Sequence, residues 1–233
     1  MRTIFGLVCA FAAMICVKAG QVTLAPEDKS GTPIAIVWIH GMQCKAEAYG
    51  KLAMELQRVA ASQGYSAWVG IPEFVLNIPE PIFFDLYVQN ILKDLKDKEG
   101  FSGTKYYLAA HSFGGVMSQI YAKGKSSQIS GMILTGSVLL KDTRSIQEDG
   151  TTKFDFDVPT LTLNGELDGL LRISRGAESY WHHKINIAKS QANKFPMLAL
   201  EGVSHASFMD ESMLTSAVKS GDINPEVDEK TGH

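Results

Sequence analysis

The residues Ala110-His111-Ser112-Phe113-Gly114-Gly115 put a serine between a histidine, an aromatic ring and two glycines. The run before it, Lys105 to Ala110, is short and mostly apolar, as a buried strand is. The run after it carries Val116, Met117, Ile120 and Tyr121 at helical spacing. A strand that enters a helix through such a run turns very sharply. The residue at the apex is strained and presents its side chain above the sheet. Strand and helix backbones crowd there, so small residues are needed two before and two after the serine. Ala110 and Gly114 supply them. The helix also aims its first amides and its positive dipole end at the serine. A serine in front of a helix has a plainer use as well, which is to cap it.

A hydroxyl is a poor nucleophile unless a base takes its proton and a third group orients the base. Of six histidines, His40 closes an early apolar run, His182 and His183 fall in a helical stretch, and His233 is terminal. His111 adjoins the serine, but a residue next to the apex of a sharp turn points away from it. His111 therefore reads as a packing or hydrogen-bonding residue. His205 alone sits on a loop at the carboxyl end of a late strand. The tight turn Gly165-Glu166-Leu167-Asp168-Gly169 offers Asp168 as the orienting carboxylate, with Glu166 as its rival. Asp168 also suits a cap for the helix that starts near Ile173. No His, Cys, Asp or Glu cluster has metal-ligand spacing, and the serine loop lacks the Lys-Ser/Thr of a phosphate loop. No metal and no cofactor is expected.

These residues need elements to hold them. Pro33 to His40 is a β-branched run of the kind buried on both faces. Ala46, Tyr49, Leu52, Leu56 and Val59 follow at helical spacing, and Gly64 closes that helix. Tyr65 to Gly70 reads as a strand. Ile71 to Pro81 holds three prolines and reads as an apolar loop. Val88, Ile91, Leu92 and Leu95 mark a second helix, stopped at Gly100. Strands are expected at Gly131–Ser137, Val158–Gly165 and Phe195–His205, with a helix over Ile173–Ile187. Alternating strands and helices predict an α/β protein with a mostly parallel sheet, covered by helices on both faces. In such sheets, sites gather beyond the carboxyl ends of the strands.

The chain has 233 residues, 45% hydrophobic and 20% charged, with a net charge of −3. Neither sign dominates, so no nucleic-acid partner is implied. Arg2 and the apolar run Ile4–Val17, ending in Val17-Lys18-Ala19, have the form of a signal peptide and are too short for a convincing membrane span. Cleavage after Ala19 would leave residues 20–233 as one domain of net charge −5, secreted or held in the secretory pathway. Cys44 would then be the remaining thiol, so no internal disulfide is expected. From about residue 220 the tail is polar and irregular, as if the usual last helix were missing or cut short.

The serine loop resembles the nucleophile elbow of the α/β-hydrolase fold family, the lipases, esterases and their relatives. The usual form is G-x-S-x-G, and here Ala110 replaces the first glycine. The family places acid and base after the serine in chain order. The resemblance therefore implies Ser112 as nucleophile, Asp168 as acid and His205 as base. His40-Gly41-Met42-Gln43, after its strand, resembles the family's His-Gly loop. It implies an oxyanion hole from the amides of Phe113 and of Met42, with Gln43 second. Gly41 would let the backbone turn and His40 would organise the loop. The matches run from about Pro33 to Phe208.

Family members often carry a helical cap between the strand after the elbow and the acid strand. Here Ser137–Val158 is short and polar and reads as a loop or hairpin, so no large lid is expected. Met42, Phe113, Val138, Leu139, Leu170 and Phe208 would make an apolar rim, with Gly41, Leu139 and Leu170 touching substrate. A neutral ester with an apolar acyl or alcohol part suits it. Alternatives are a non-hydrolytic member that binds a small apolar ligand or a protein, and an acyltransferase.

Overall fold

The computed structural model describes residues 20–186 and 193–226. The first 19 residues, read above as an export signal, lie outside them. The strands are β1 Val22–Leu24, β2 Thr32–Ile39, β3 Tyr65–Ile71, β4 Tyr106–His111, β5 Ile129–Thr135, β6 Arg144–Ile146, β7 Thr152–Phe154, β8 Thr160–Gly165 and β9 Met197–Leu200. The helices are α1 Gly50–Ser62, α2 Pro81–Asp97, α3 Phe113–Lys125, α4 Ile173–Asn186 and α5 Ser216–Gly221. Seven strands form one sheet in the order β1-β3-β2-β4-β5-β8-β9, and β6 and β7 make a separate hairpin. Only β1 runs antiparallel within the large sheet.

The apolar run of β2 is buried on both faces because helices cover both. Ala35, Val37 and Ile39 pack with Phe84, Val88, Ile91 and Leu95 of α2 and Met117 and Ala122 of α3. The alternate residues Ile36 and Trp38 pack with Tyr49, Ala53 of α1, and Met209 and Val218 from the end of the chain. Each large apolar side chain so buried is worth about 1.5–3 kcal/mol relative to exposure. Parallel register lines up Ile39 with Ala110, His111 with Thr135, and Gly165 with Leu200. The carboxyl ends of the central strands therefore open at one edge of the sheet.

Several boundaries differ from the sequence reading. The edge strand β1 was not anticipated; three half-buried residues carry no alternation to reveal it. The proline-rich loop gives way to α2 at Pro81 itself, where a missing N–H costs nothing in the first helical turn. The interval before β8 holds the hairpin β6–β7, and the described residues form no large cap. In the tail, α5 begins at Ser216, one 3-10 turn and loop structure after Phe208, with the Thr215 hydroxyl accepting from the Val218 amide at its start.

Leu139 is corrected. It was expected on the rim, but it is 2% exposed and belongs to the core, where its carbonyl accepts from Ser179 Oγ. After β5 the chain turns inward, where the core and the Ser179 hydroxyl of α4 hold this position, and that removes Leu139 from the rim.

Candidate active site

Ser112 sits between β4 and α3 with φ 54° and ψ −125°. A non-glycine residue at such a backbone geometry costs on the order of 1–3 kcal/mol. The surroundings hold it there. The Ser112 amide donates to the Thr135 carbonyl at 2.9 Å, and its carbonyl accepts from Gly115 N–H at 2.9 Å. A Cβ on Gly114 would lie 2.5 Å from the His40 carbonyl oxygen and 2.7 Å from that of Ile39. Only glycine lets α3 start so close to β2. The Ser112 side chain makes no capping bond to α3. The plainer use of this serine is thereby set aside, and its hydroxyl is left for other partners.

His205 and Asp168 meet across two loops. His205 Nδ1 and Asp168 Oδ2 are 2.7 Å apart, and both side chains are buried. The second carboxylate oxygen accepts from the Leu170 and Leu171 amides at 3.0 and 2.6 Å. A proton on Nδ1 donated to Asp168 leaves a lone pair on Nε2, the state a general base needs. Glu166 does different work: its carboxylate accepts from the Gly202 amide at 3.2 Å and holds the turn after β9. The two acids of the turn therefore separate by geometry, with Asp168 facing the imidazole.

His111 is buried, and its ring lies 4.5 Å from the His205 ring and 5.7 Å from that of Phe208. Its Nδ1 is 2.8 Å from Tyr49 Oη, which also accepts from the Gly41 amide at 2.9 Å. Burial, and then the neighbouring His205, hold His111 well below the ordinary histidine range. It stays neutral at physiological pH and packs against the His205 ring from the position before the elbow serine. The Gly136 backbone lies against both imidazoles; a Cβ there would fall 2.9 Å from His205 Nδ1. Sequence reasoning saw Tyr49 only as an apolar position on a helix, and it missed Gly136.

The His40-Gly41-Met42-Gln43 loop lies beside the serine: a Cβ on Gly41 would be 3.3 Å from Ser112 Cβ. The Gln43 amide donates to the Asn77 carbonyl at 2.7 Å, and the Cys44 amide to that of Gly41 at 3.2 Å. The Met42 amide has no acceptor among the described residues. The Phe113 amide is the first of α3 and so has no intrahelical acceptor. Both amides are thus unspent among the described residues, one on the loop beside the serine and one directly after it. Met42 and Leu170 are about half exposed, whereas Phe208 is buried beneath His111 and does not form a rim. Burial pushes the Cys44 thiol up in pKa, so it stays protonated and packs under the loop.

His40 organises that loop. Its Nδ1 donates to the Gly41 carbonyl at 2.8 Å, and its Nε2 accepts from the Phe74 amide at 3.3 Å. Both bonds together require the neutral ring. Burial lowers its pKa to about 4, against the opposing Gly41 carbonyl. The unfolded chain therefore takes up this proton before the folded one does. Stability contributed here is full above the ordinary histidine value and is lost as pH falls toward 4, by on the order of 3 kcal/mol. The urea midpoint is expected to drop over that window, and less so in His40→Asn. Equal pH slopes for the two proteins would show that His40 does not carry the effect.

Among the described residues no group of His, Cys, Asp and Glu could hold a metal ion, and no helix is long and apolar enough to cross a membrane.

A parallel sheet with a serine at a strained strand-to-helix turn and a buried His–Asp pair from later loops defines the hydrolase class of α/β fold. Residues 35–214 match the alpha/beta hydrolase family, and the chain belongs to it. Among solved structures it resembles Est1E from Butyrivibrio proteoclasticus, at 16% identity over 86% of this chain and 91% of that one, with a TM-score of 0.51. It also resembles a predicted CIB-like hydrolase from Thermoplasma acidophilum, at 14% identity over 82% and 86%, with a TM-score of 0.53. At these identities the likeness is one of fold. No curated protein matches the chain.

Proposed function

We propose that this protein is a serine hydrolase of carboxylic esters with an apolar acyl or alcohol part. Ser112 Oγ attacks the ester carbonyl carbon while His205 Nε2 takes its proton. Asp168 keeps the imidazole in the required tautomer and stabilises the imidazolium. The Met42 and Phe113 amides donate to the oxyanion. Collapse expels the alcohol, which leaves with the proton from His205, and Ser112 remains acylated. Water, deprotonated by His205, then attacks the acyl-enzyme and regenerates the serine. The observation that carries this reading is the buried 2.7 Å His205–Asp168 pair, together with a strained serine whose side chain caps nothing.

Half-exposed Met42 and Leu170 beside the candidate site favour apolar substrate groups. A related structure holds ferulic acid bound to Est1E, an aromatic acid of the kind this reading allows as an acyl part. With no large cap over the site, short and medium esters should enter directly from solution. The test is a p-nitrophenyl ester series from acetate to palmitate, measured below and above aggregation. Rates are expected to rise smoothly through the aggregation point, each buried methylene adding up to about 0.8 kcal/mol until the groove is full. A jump at the interface with a strong preference for long chains would make a lid-gated lipase the better reading. No turnover of any ester, and no labelling by a fluorophosphonate, would sink the hydrolase reading.

A further inference from the structure

The Asp168 turn follows β8 and the His205 turn follows β9, and the ladder between these strands ends at Gly165 and Leu200. His205 lies five residues past that last pair. Two backbone bonds tie the loops just beyond it, Glu166 N–H to the Leu200 carbonyl and Leu167 N–H to the Val203 carbonyl, both 2.9 Å. Past those, the connection is made by a side chain from the end of the molecule. Asp222 Oδ1 accepts from the Gly169 amide at 2.9 Å and from the His205 amide at 3.2 Å; Oδ2 accepts from the Ala206 amide at 2.7 Å. The Ile223 amide adds a fourth bond to Oδ1 at 3.0 Å.

We propose that Asp222 is a positioning residue, which clamps the turn bearing Asp168 to the turn bearing His205 and so sets the distance between the two side chains. The inference rests on the Ser-His-Asp reading above.

Three observations support it. The amides it binds are the base's own, that of the following residue, and the one directly after the acid. One carboxylate thus grips both turns. Asp222 caps the C-terminal end of α5, with its amide donating to the Val218 carbonyl at 3.1 Å. A negative charge is unfavourable at that end of a helix dipole, so the carboxylate serves the loops and not its own helix. The backbones are also fitted to each other: a Cβ on Gly169 would lie 2.7 Å from the Gly221 carbonyl oxygen and 3.0 Å from Asp222 Cα. Burial raises the Asp222 pKa, but the amides of Gly169, Ala206 and His205 and the Ser204 hydroxyl outweigh it, and the group lies below the usual carboxylate range. It is ionised at neutral pH and accepts charge-assisted bonds. Asp222 also lines a cleft together with Glu211 and Lys219.

The test compares Asp222→Asn and Asp222→Ala with the wild type. kcat is expected to fall by about tenfold to a hundredfold, because small misplacements of reacting groups cost that much. KM should stay within about twofold, since Asp222 touches no substrate. Proton NMR of the folded variants should show the downfield His205 Nδ1 proton, shared with Asp168, moved upfield or lost. A residue that only stabilised the fold would lower Tm and leave that resonance in place. Variants with wild-type kcat and an unmoved resonance overturn the proposal. Should both variants fail to fold, the wild type decides. Its Gly169, His205 and Ala206 amide shifts must titrate together with the Asp222 carboxyl, and independent titration overturns the proposal. A wild type that neither turns over esters nor takes up a fluorophosphonate defeats the hydrolase reading instead, while the NMR comparison still judges Asp222.

Discussion

Ester turnover by the Ser112→Ala protein is expected to fall by five to six orders of magnitude, roughly 10⁵- to 10⁶-fold, with labelling by a fluorophosphonate lost altogether. The fold should survive, and the variant should be no less stable than the parent. The serine is strained at φ 54°, and its side chain caps nothing in α3, so alanine removes no structural bond that the hydroxyl makes. His205→Ala should lose about as much. Asp168→Asn should lose less, by roughly 10⁴-fold, because it orients and stabilises the base without bonding to substrate. The double variant Ser112→Ala/His205→Ala should be no worse than either single one, since the residues act as a unit. Multiplying losses in the double variant, or wild-type turnover in Ser112→Ala, would show that the serine and histidine do not share one reaction.

The second large effect is on the backbone. Gly114→Val is expected to lower the denaturation midpoint markedly and to abolish turnover together with it. The new Cβ would sit 2.5 Å from the His40 carbonyl oxygen and 2.7 Å from that of Ile39, and neither backbone atom can swing aside. Overpacking of this kind typically costs about 1–3 kcal/mol, and more where the chain cannot shift. The shift that relieves it would carry the start of α3, and the Phe113 amide with it, away from the oxyanion position. Gly124 on the same helix is the control. A Cβ there meets nothing within 4 Å, so Gly124→Ala should be stabilised by up to about 1 kcal/mol and stay active. Matching midpoints and rates in the two variants would mean that the crowding at Gly114 does not shape the elbow.

Much of this was legible in the residues. Ala110, Ser112 and Gly114 announce the elbow because only small side chains fit where strand and helix backbones meet. Asp168 and His205 fall on turns that follow recognisable apolar runs, so chain order places them at one end of the sheet. The rival Glu166 could not be dismissed from spacing, because two positions in one turn differ only in where their side chains point. Leu139 misled for a related reason. Apolar character close to a site in sequence does not say whether the chain turns toward solvent or inward there. Tyr49 and Asp222 gave no signal at all. Each acts through backbone amides in another segment, Tyr49 on Gly41 in the loop before its helix, and Asp222 on Gly169 and His205 in two earlier turns. No pattern in the chain encodes such a meeting. β1 escaped notice because its three residues borrow their order from β3.

The placement of β9 has a consequence for heat. The serine leaves from β4, in the middle of the sheet with a strand on either side, but the histidine hangs from a four-residue strand at the rim, laddered among the described residues to β8 alone. Short outer strands open at a fraction of the free energy that separates the native from the fully unfolded chain. As temperature rises, the margin of the sheet frays while its centre remains intact. The site should therefore fall silent in a molecule that still holds most of its secondary structure. The upper limit of its working range is then expected to lie with one peripheral ribbon and not with the melting of the whole.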